Sequence, residues 1–167
     1  MKKALTLFAV AAVALIAGSC NSGRSGNFAL YMTDAPIAGL ENVYITFGQI
    51  EVSLSDSDTF EAILDAPTQV DLLELRDREE KLLEVDLAPG TYDAVRLTIS
   101  AAQIVYNGQT FTLNIDPPKV VTVAASFTVV EDGTVKCVLD FDAAQSVEQS
   151  GGLFNLAPVI VLKSIGY

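Results

Sequence analysis

The chain has 167 residues, with 10 Lys and Arg against 21 Asp and Glu, two Cys and no His or Trp. The lack of histidine excludes Ser-His-Asp and Cys-His nucleophile pairs and His-ligated zinc or haem. A structural zinc or iron-sulfur site without His needs about four thiolates, so two cysteines are too few. A net charge of −11 without a basic tract excludes nucleic acid as a partner. The composition predicts no cofactor and no metal held by His or Cys.

The N-terminus begins with the basic segment Met1-Lys2-Lys3, which an apolar run follows from Ala4 to Ile16. This pattern is typical of a secretory signal peptide. The run is shorter than the ~20 apolar residues that a permanent membrane-spanning helix needs. We therefore predict a removable signal peptide over residues 1–19.

The segment Leu15-Ile16-Ala17-Gly18-Ser19-Cys20 resembles the bacterial lipobox. The resemblance implies a lipoprotein signal peptide, with Cys20 as the residue that is diacylated, exposed by cleavage and then N-acylated. Cleavage by an ordinary signal peptidase is the alternative, because Ala17 stands where Leu is usual. In that case Cys20 would be a free thiol at the new terminus.

Residues 20–26 are predicted to be the lipidated cysteine and a flexible tether, because the segment after Cys20 is small and polar. Removing residues 1–19 takes away two Lys and no acid, so the net charge falls from −11 to −13. A body this acidic is repelled by anionic headgroups, which limits membrane contact to the lipid anchor. The resemblance to lipoprotein sorting signals implies that only Asp after the cysteine would favour retention in the inner membrane. Asn21 therefore favours the outer membrane.

The remaining residues, 27–167, alternate between apolar and polar side chains in several segments. Val43, Ile45 and Phe47 share one parity, which predicts a β-strand. The apolar parity then changes at Gly48-Gln49, which predicts a β-bulge there. A similar change within the extended run from Val95 to Tyr106 predicts a second long, bent strand.

Two dipeptides that tolerate positive φ separate pairs of predicted strands. Asn107-Gly108 lies between residues 102–106 and 109–115, and Asp132-Gly133 lies between residues 120–130 and 134–141. Such dipeptides favour tight hairpin turns. The sequence therefore predicts two antiparallel hairpins.

Helical potential is limited to short segments. Residues 71–86 predict either a turn or two of helix or two short strands, and Ala143 to Gln149 predicts one helical turn. With about eight strands and no alternation of strands with helices, we predict an all-β fold over residues 27–167. Its architecture is expected to be an antiparallel β-sandwich, immunoglobulin-like or transthyretin-like, with one or two short helical turns.

Several segments together resemble domain of unknown function 4382, and the likeness covers nearly all of the mature chain. The segments that carry it are Phe28 to Pro36, Glu41 to Phe47, Pro89 to Tyr92, Leu139 to Ala144 and Leu156 to Ile160. The resemblance implies a secreted, often lipid-anchored all-β domain of bacterial envelopes. It brings no established activity.

Cys137 shares its parity with Val135, Leu139 and Phe141, so its side chain is expected to face the core as an inert thiol. A disulfide between Cys137 and Cys20 is the alternative. Lipidation of Cys20 would prevent that bond.

Three acids are candidates for hidden chemistry. Asp140 and Asp142 share one strand face, about 7 Å apart at strand spacing. Together with Asp34 they are candidates for a calcium site, or as a pair for acid-base catalysis. The competing interpretation is structural, with Asp34 as a turn residue and Asp142 as the N-cap of a short helix. The structural interpretation is favoured, because no third group is visible to separate two carboxyl pKa values.

The sequence predicts a non-enzymatic binding or structural module whose partner is an envelope protein or a polysaccharide. Carbohydrate binding is an alternative, since five tyrosines are available for stacking, although strand tyrosines more often pack in cores. They are Tyr31, Tyr44, Tyr92, Tyr106 and Tyr167. A hydrolase that uses two carboxylates is a further alternative. Such an enzyme needs a cleft, which short loops seldom build.

Overall fold

Residues 23–34, 39–57, 59–64, 66–76, 78–115 and 117–167 are described by a computed structural model of the protein. The predicted signal peptide, Cys20 and the start of the tether lie outside these residues. The described strands are β1 (Gly26–Asp34), β2 (Asn42–Leu54), β3 (Phe60–Ala62), β4 (Thr68–Asp71), β5 (Glu80–Leu87), β6 (Gly90–Tyr106), β7 (Gln109–Thr112), β8 (Lys119–Val129), β9 (Thr134–Phe141), β10 (Val147–Ser150), β11 (Leu153–Leu156) and β12 (Ile160–Gly166). A 3-10 helix covers Leu72–Leu75, and α1 covers Ala143–Ser146.

The strands form two large sheets and one small one. The first sheet has the order β12-β9-β1-β5, and the second has the order β3-β2-β6-β7, with β4 also beside β2 and β8 also beside β6. Strands β10 and β11 form a separate two-stranded sheet. Every pairing between these strands is antiparallel except that of β1 with β9, which is parallel.

Aromatic rings join the inner faces of the two large sheets. The ring of Phe28 in β1 stacks on that of Phe127 in β8, with 4.8 Å between centroids. Tyr92 in β6 stacks on the same Phe127 ring at 5.1 Å. All three side chains are buried in one continuous hydrophobic core. The predicted all-β sandwich is confirmed.

The long strands β2 and β6 bend where the apolar parity changes. Their register shifts between Thr46 and Phe47 and again between Phe47 and Gln49, which confirms the predicted bulge. A Cβ on Gly48 would lie 2.9 Å from Cβ of Ser100 in β6, closer than side-chain atoms normally approach. Glycine at this position therefore lets the two strands stay paired through the bend.

The hairpin predicted at Asn107-Gly108 is confirmed. Both residues have positive φ, 51° and 70°, as a type I′ turn requires. The turn joins β6 to β7 with Tyr106 opposite Gln109. Strand β7 ends at Thr112, earlier than the predicted residue 115.

The hairpin predicted at Asp132-Gly133 is wrong. A tight turn does form, because Asp132 has a φ of 55° and the Gly133 amide donates to the carbonyl of Val130 at 3.0 Å. However, β8 pairs with β6 in the second sheet, while β9 pairs with β1 and β12 in the first. The turn passes the chain from one sheet to the other, and β9 then lies parallel to β1.

The two short helical segments form where the sequence indicated. Asp71 caps the 3-10 helix, its Oδ1 accepting from the Leu73 amide at 3.1 Å, and β5 follows from Glu80. The segment 71–86 therefore holds one helical turn and one strand. The turn predicted at 143–149 is α1, which ends at Ser146 because Val147 begins β10.

Cys137 faces the core, as predicted. Its side chain is fully buried on β9 between Val135 and Leu139, and it is a free thiol. Burial raises the pKa of the thiol to about 12. The thiol therefore stays protonated and unreactive at neutral pH.

Candidate functional site

The three acids predicted as a possible site lie around the start of α1. Asp34, at the end of β1, is buried, and its Oδ1 accepts from the Ala143 amide at 3.0 Å. Asp142 is the N-cap of α1, and its Oδ1 accepts from the Gln145 amide at 2.9 Å. The N-cap prediction is confirmed. Asp34 binds an amide that lies 109 positions further along the chain, while the turn predicted after it, at Ala35-Pro36, lies outside the described residues.

Asp140 is half-buried on β9, two residues before Asp142. The described part of the chain contains no group of three or more Cys, Asp or Glu that is arranged to hold a metal ion. The contacts of Asp34 and Asp142 hold the first turn of α1 against the end of β1.

The five tyrosines do not form one platform. Tyr31 and Tyr44 are half-buried on different sheets, and Tyr92 is buried with its hydroxyl donating to the carbonyl of Ala88 at 3.0 Å. Tyr106 and Tyr167 are 40% and 80% exposed. Of the five, Tyr106 is the one whose ring takes part in a partly exposed aromatic cluster.

That cluster joins the β6–β7 hairpin to the β10–β11 hairpin. The Phe154 ring of β11 lies 5.1 Å from Phe111 and 6.4 Å from Tyr106, between ring centroids, in tilted and edge-on geometry. Leu153, beside Phe154, is 69% exposed. Its side chain projects from the opposite face of the hairpin to Phe154, because it pairs with Ser150. We call the surface formed by Tyr106, Gln109, Phe111, Gln149 and Phe154 the aromatic end.

Two glutamines lie beside the aromatic rings. Tyr106 pairs with Gln109 across β6 and β7, and Phe154 pairs with Gln149 across β10 and β11. Directly opposite residues of an antiparallel pair project from the same face, about 5 Å apart. Both glutamines are exposed. Each therefore places an amide next to an aromatic side chain.

Backbone hydrogen bonds fix the two hairpins to each other. The Asn114 amide donates to the carbonyl of Phe154 at 3.0 Å, and the Leu156 amide donates to the carbonyl of Asn114 at 3.3 Å. Asn114 Nδ2 also donates to Asn155 Oδ1 at 3.5 Å. The tip of the β10–β11 hairpin has positive φ at Gly151 and Gly152, the geometry of a tight turn.

The aromatic end carries no charged side chain. Its residues all fall within two stretches that contain no Asp, Glu, Lys or Arg, one between Arg96 and Asp116 and the other between Glu148 and Lys163. Glu41, just before β2, approaches from the side, and its Oε1 accepts from the Gly108 amide at 3.0 Å. On a chain with a net charge of −11, this is a neutral surface.

The polypeptide enters the sandwich at the other end. The Asp132 amide donates to the carbonyl of Ser25 at 3.0 Å, and Arg24 forms an ion pair with Glu131, also at 3.0 Å. Strand β1 begins at Gly26, inside the segment predicted as tether. Residues 24 and 25 thus lie against the β8–β9 turn, and we call this the tether end.

Strand β6 connects the two ends. Gly90, its first residue, pairs with Val129 next to the β8–β9 turn, and its last residue is Tyr106. A strand of 17 residues is roughly 50 Å long before its bend is allowed for. The tether end and the aromatic end therefore lie at opposite ends of the molecule.

The sequence prediction named Tyr106 among the tyrosines but missed Phe111, Phe154 and the two glutamines. Phe154 reaches Tyr106 across 48 positions of the chain, a contact that strand alternation does not predict. The two uncharged stretches were the sequence signal that could have indicated this surface. In an acidic chain, exposed strand positions without charged side chains form a neutral surface.

These features define a small all-β sandwich with residues 24 and 25 at one end and a neutral aromatic surface at the other. Residues 25–158 match the family described as domain of unknown function (DUF4382), and the chain belongs to this family. The resemblance to this domain, drawn from the sequence, is confirmed. Comparisons with curated proteins and with solved structures gave no match. No helix among the described residues is long and apolar enough to cross a membrane.

Proposed function

We propose that the protein is a lipid-anchored module of the bacterial envelope, attached through Cys20, whose β-sandwich binds a partner without catalysing a reaction. The lipid anchor is its contact with the membrane, and the outer membrane is its location. The partner contacts the aromatic end.

The main support for this proposal is that the N-terminal segment joins the sandwich at the end opposite the aromatic end. Arg24 and Ser25 contact the β8–β9 turn, and Arg24 lies four positions after Cys20 in the sequence. An extended chain spans at most ~3.6 Å per residue, so the lipid lies within about 15 Å of the tether end. The aromatic end is then held away from the membrane, where a partner has access to it.

A non-enzymatic role is supported by the contacts of the candidate catalytic acids. In the proposed hydrolase alternative, Asp140 and Asp142 would act as the carboxylate pair. Both carboxylate oxygens of Asp142 accept hydrogen bonds from Gln145, one from the backbone amide and one from the side-chain amide. The sequence also lacks histidine. These observations favour a binding module over a hydrolase.

Acylation of Cys20 is tested by mass spectrometry of the N-terminal peptide of the protein purified from its membrane. We expect three acyl chains on an N-terminal Cys20, and partition of the protein into detergent with the outer-membrane fraction. Cys20→Ala is expected to lack the acyl chains, while Cys137→Ala, a matched change at the other cysteine, is expected to keep them. An unmodified Cys20 in the wild-type protein would overturn the anchor.

A further inference from the structure

The aromatic end combines the groups that bind sugars. Sugar rings present faces of C–H groups that pack on aromatic and apolar side chains, and rims of hydroxyls that exchange hydrogen bonds with amides. Tyr106 supplies an exposed ring and Phe154 a half-buried one, while Gln109 and Gln149 supply amides beside these rings. An apolar surface with a few placed polar groups is the usual composition of a ligand site.

We propose that the aromatic end binds a neutral polysaccharide. This inference rests on the proposed function, because it names the partner class of that binding module. Tyr106 and Phe154 pack against the sugar rings, and Gln109 and Gln149 hydrogen-bond to their hydroxyls.

The lack of charge selects a neutral ligand. The aromatic end contains no Lys or Arg to pair with a uronic acid, sulfate or phosphate group. The nearby Glu41 carboxylate would repel an anion. The net charge of the chain adds repulsion at longer range.

A polysaccharide fits this surface better than a folded protein does. Stable protein interfaces bury about 800 Å² on each partner and rely on Trp, Tyr and Arg as anchors. The aromatic end has one exposed Tyr, two half-buried Phe and no Trp or Arg. Two or three sugar units, by contrast, need only a small platform.

The surface is also rigid. Phe154 packs between Phe111 and Tyr106, and Asn114 bonds the two hairpins together. Because both hairpin tips are tight turns, little conformational freedom remains to be lost on binding.

Affinity electrophoresis tests the proposal on the full chain purified from the membrane in detergent. The gels contain galactomannan, xyloglucan, laminarin or dextran as neutral probes, and polygalacturonate as the acidic comparison. We expect at least one neutral polysaccharide to retard the protein and polygalacturonate to leave it unaffected.

Variants locate the site. Tyr106→Ala is expected to weaken binding about tenfold or more through loss of the ring, and Gln109→Ala severalfold. Tyr167→Ala is the matched control, since Tyr167 is exposed at the tether end next to Thr128. It is expected to bind like the wild-type protein. Circular dichroism confirms that each variant is folded.

Three results would overturn the proposal: no retardation by any of the four neutral polysaccharides, stronger retardation by polygalacturonate, or equal loss of binding in Tyr167→Ala. A photo-crosslinker at position 106 in the intact envelope that repeatedly captured one protein would also overturn it, in favour of a protein partner. The acyl chains on Cys20 are measured separately, so failure of glycan binding and failure of the anchor are distinguishable.

Discussion

Arg96 and Glu51 face each other across β6 and β2, and the guanidinium group donates to both carboxylate oxygens, Nε to Oε2 at 2.7 Å and Nη2 to Oε1 at 2.6 Å. The Glu51 side chain is only 9% exposed. The guanidinium carbon lies 3.8 Å from the ring centroid of Phe60 in β3. One arginine therefore connects three neighbouring strands of the second sheet.

Loss of Arg96 is expected to destabilise the fold because it leaves the buried Glu51 carboxylate without its charged partner. We expect Arg96→Ala to lower the melting temperature by several degrees. The double variant Glu51→Gln with Arg96→Ala is expected to melt above Arg96→Ala, since no buried charge remains. Lys136→Ala, which breaks the more exposed pair with Glu79, serves as the control and is expected to have little effect. A double variant that melts below Arg96→Ala would contradict this account.

Phe141 tests the core that the strand parity predicted. It is fully buried at the end of β9, where it pairs with Ile160 of β12. Phe141→Ala is expected to lower the free energy of unfolding by about 3 to 5 kcal/mol, from lost burial and the cavity left behind. Thr128→Ala on the exposed face of β8 is expected to change it by less than about 0.5 kcal/mol. Urea denaturation of both variants measures the difference, and similar values for the two would contradict the packing.

The two turn dipeptides show how far local sequence determines this fold. Asn107-Gly108 and Asp132-Gly133 both form tight turns, as their tolerance of positive φ predicts. Only the first makes a hairpin, in which β7 pairs with β6. Strand β9 pairs with β1 instead, and this parallel pairing joins segments about a hundred residues apart. A turn sequence specifies the bend but not the sheet that the next strand joins.

The candidate site also has one part that the sequence could predict and one part that it could not. The pairing of Tyr106 with Gln109 follows from the predicted β6–β7 hairpin and was within reach of the sequence. The contact of Phe154 with Tyr106 could not be predicted from the sequence, because it depends on where the β10–β11 hairpin packs. The predicted cap at Asp142 was correct because N-capping depends on residues only three positions apart.

Burial of Cys137 predicts that the free energy of unfolding falls at alkaline pH. Because the folded state raises the thiol pKa to about 12, the unfolded chain loses this proton at lower pH than the folded protein does. The contribution of the buried neutral thiol to the free energy of unfolding is fully present below the unfolded-state pKa of about 8.5. It is lost as the pH rises above that value. The loss is about 1.4 kcal/mol per pH unit between roughly pH 9 and 11.

Cys137→Ala is expected to lack this component. Urea denaturation of wild-type protein and variant between pH 7 and 11 measures the two slopes, and tyrosine and lysine titrations cancel in the difference. We also expect a thiol reagent at pH 8 to leave Cys137 unmodified until the protein is unfolded. Rapid modification of the native protein, or equal slopes, would contradict the buried position of the thiol.

The N-cap at Asp142 predicts the effect of its removal. Asp142→Ala is expected to destabilise the protein by about 1 kcal/mol, because the Gln145 amide loses its acceptor. Asp142→Asn keeps an acceptor oxygen and is expected to stay close to wild type. Thermal melts in calcium and in chelator are expected to coincide for all three proteins. A calcium-dependent rise in melting temperature that Asp142→Ala abolishes would support the calcium site instead.

The start of the folded body is tested by two glycines three positions apart. A Cβ on Gly26 would overlap the carbonyl oxygen of Val130 and lie 2.7 Å from Cγ1 of Val129. A Cβ on Gly23 would meet nothing within 4 Å. Gly26→Ala is therefore expected to push β1 away from the β8–β9 turn and to lower the free energy of unfolding by about 1 to 3 kcal/mol. Gly23→Ala is expected to have no measurable effect.

Hydrogen exchange separates this local effect from general destabilisation. In the wild-type protein the Asn27 amide donates to the carbonyl of Gly133 at 2.8 Å, and the Asp132 amide donates to that of Ser25 at 3.0 Å. Both amides are expected to exchange faster in Gly26→Ala, while the Phe141 amide in the core keeps its protection. Unchanged exchange at Asn27 and Asp132 would mean that residues 24–26 do not lie against the turn, and the aromatic end would then have no fixed direction relative to the proposed membrane anchor.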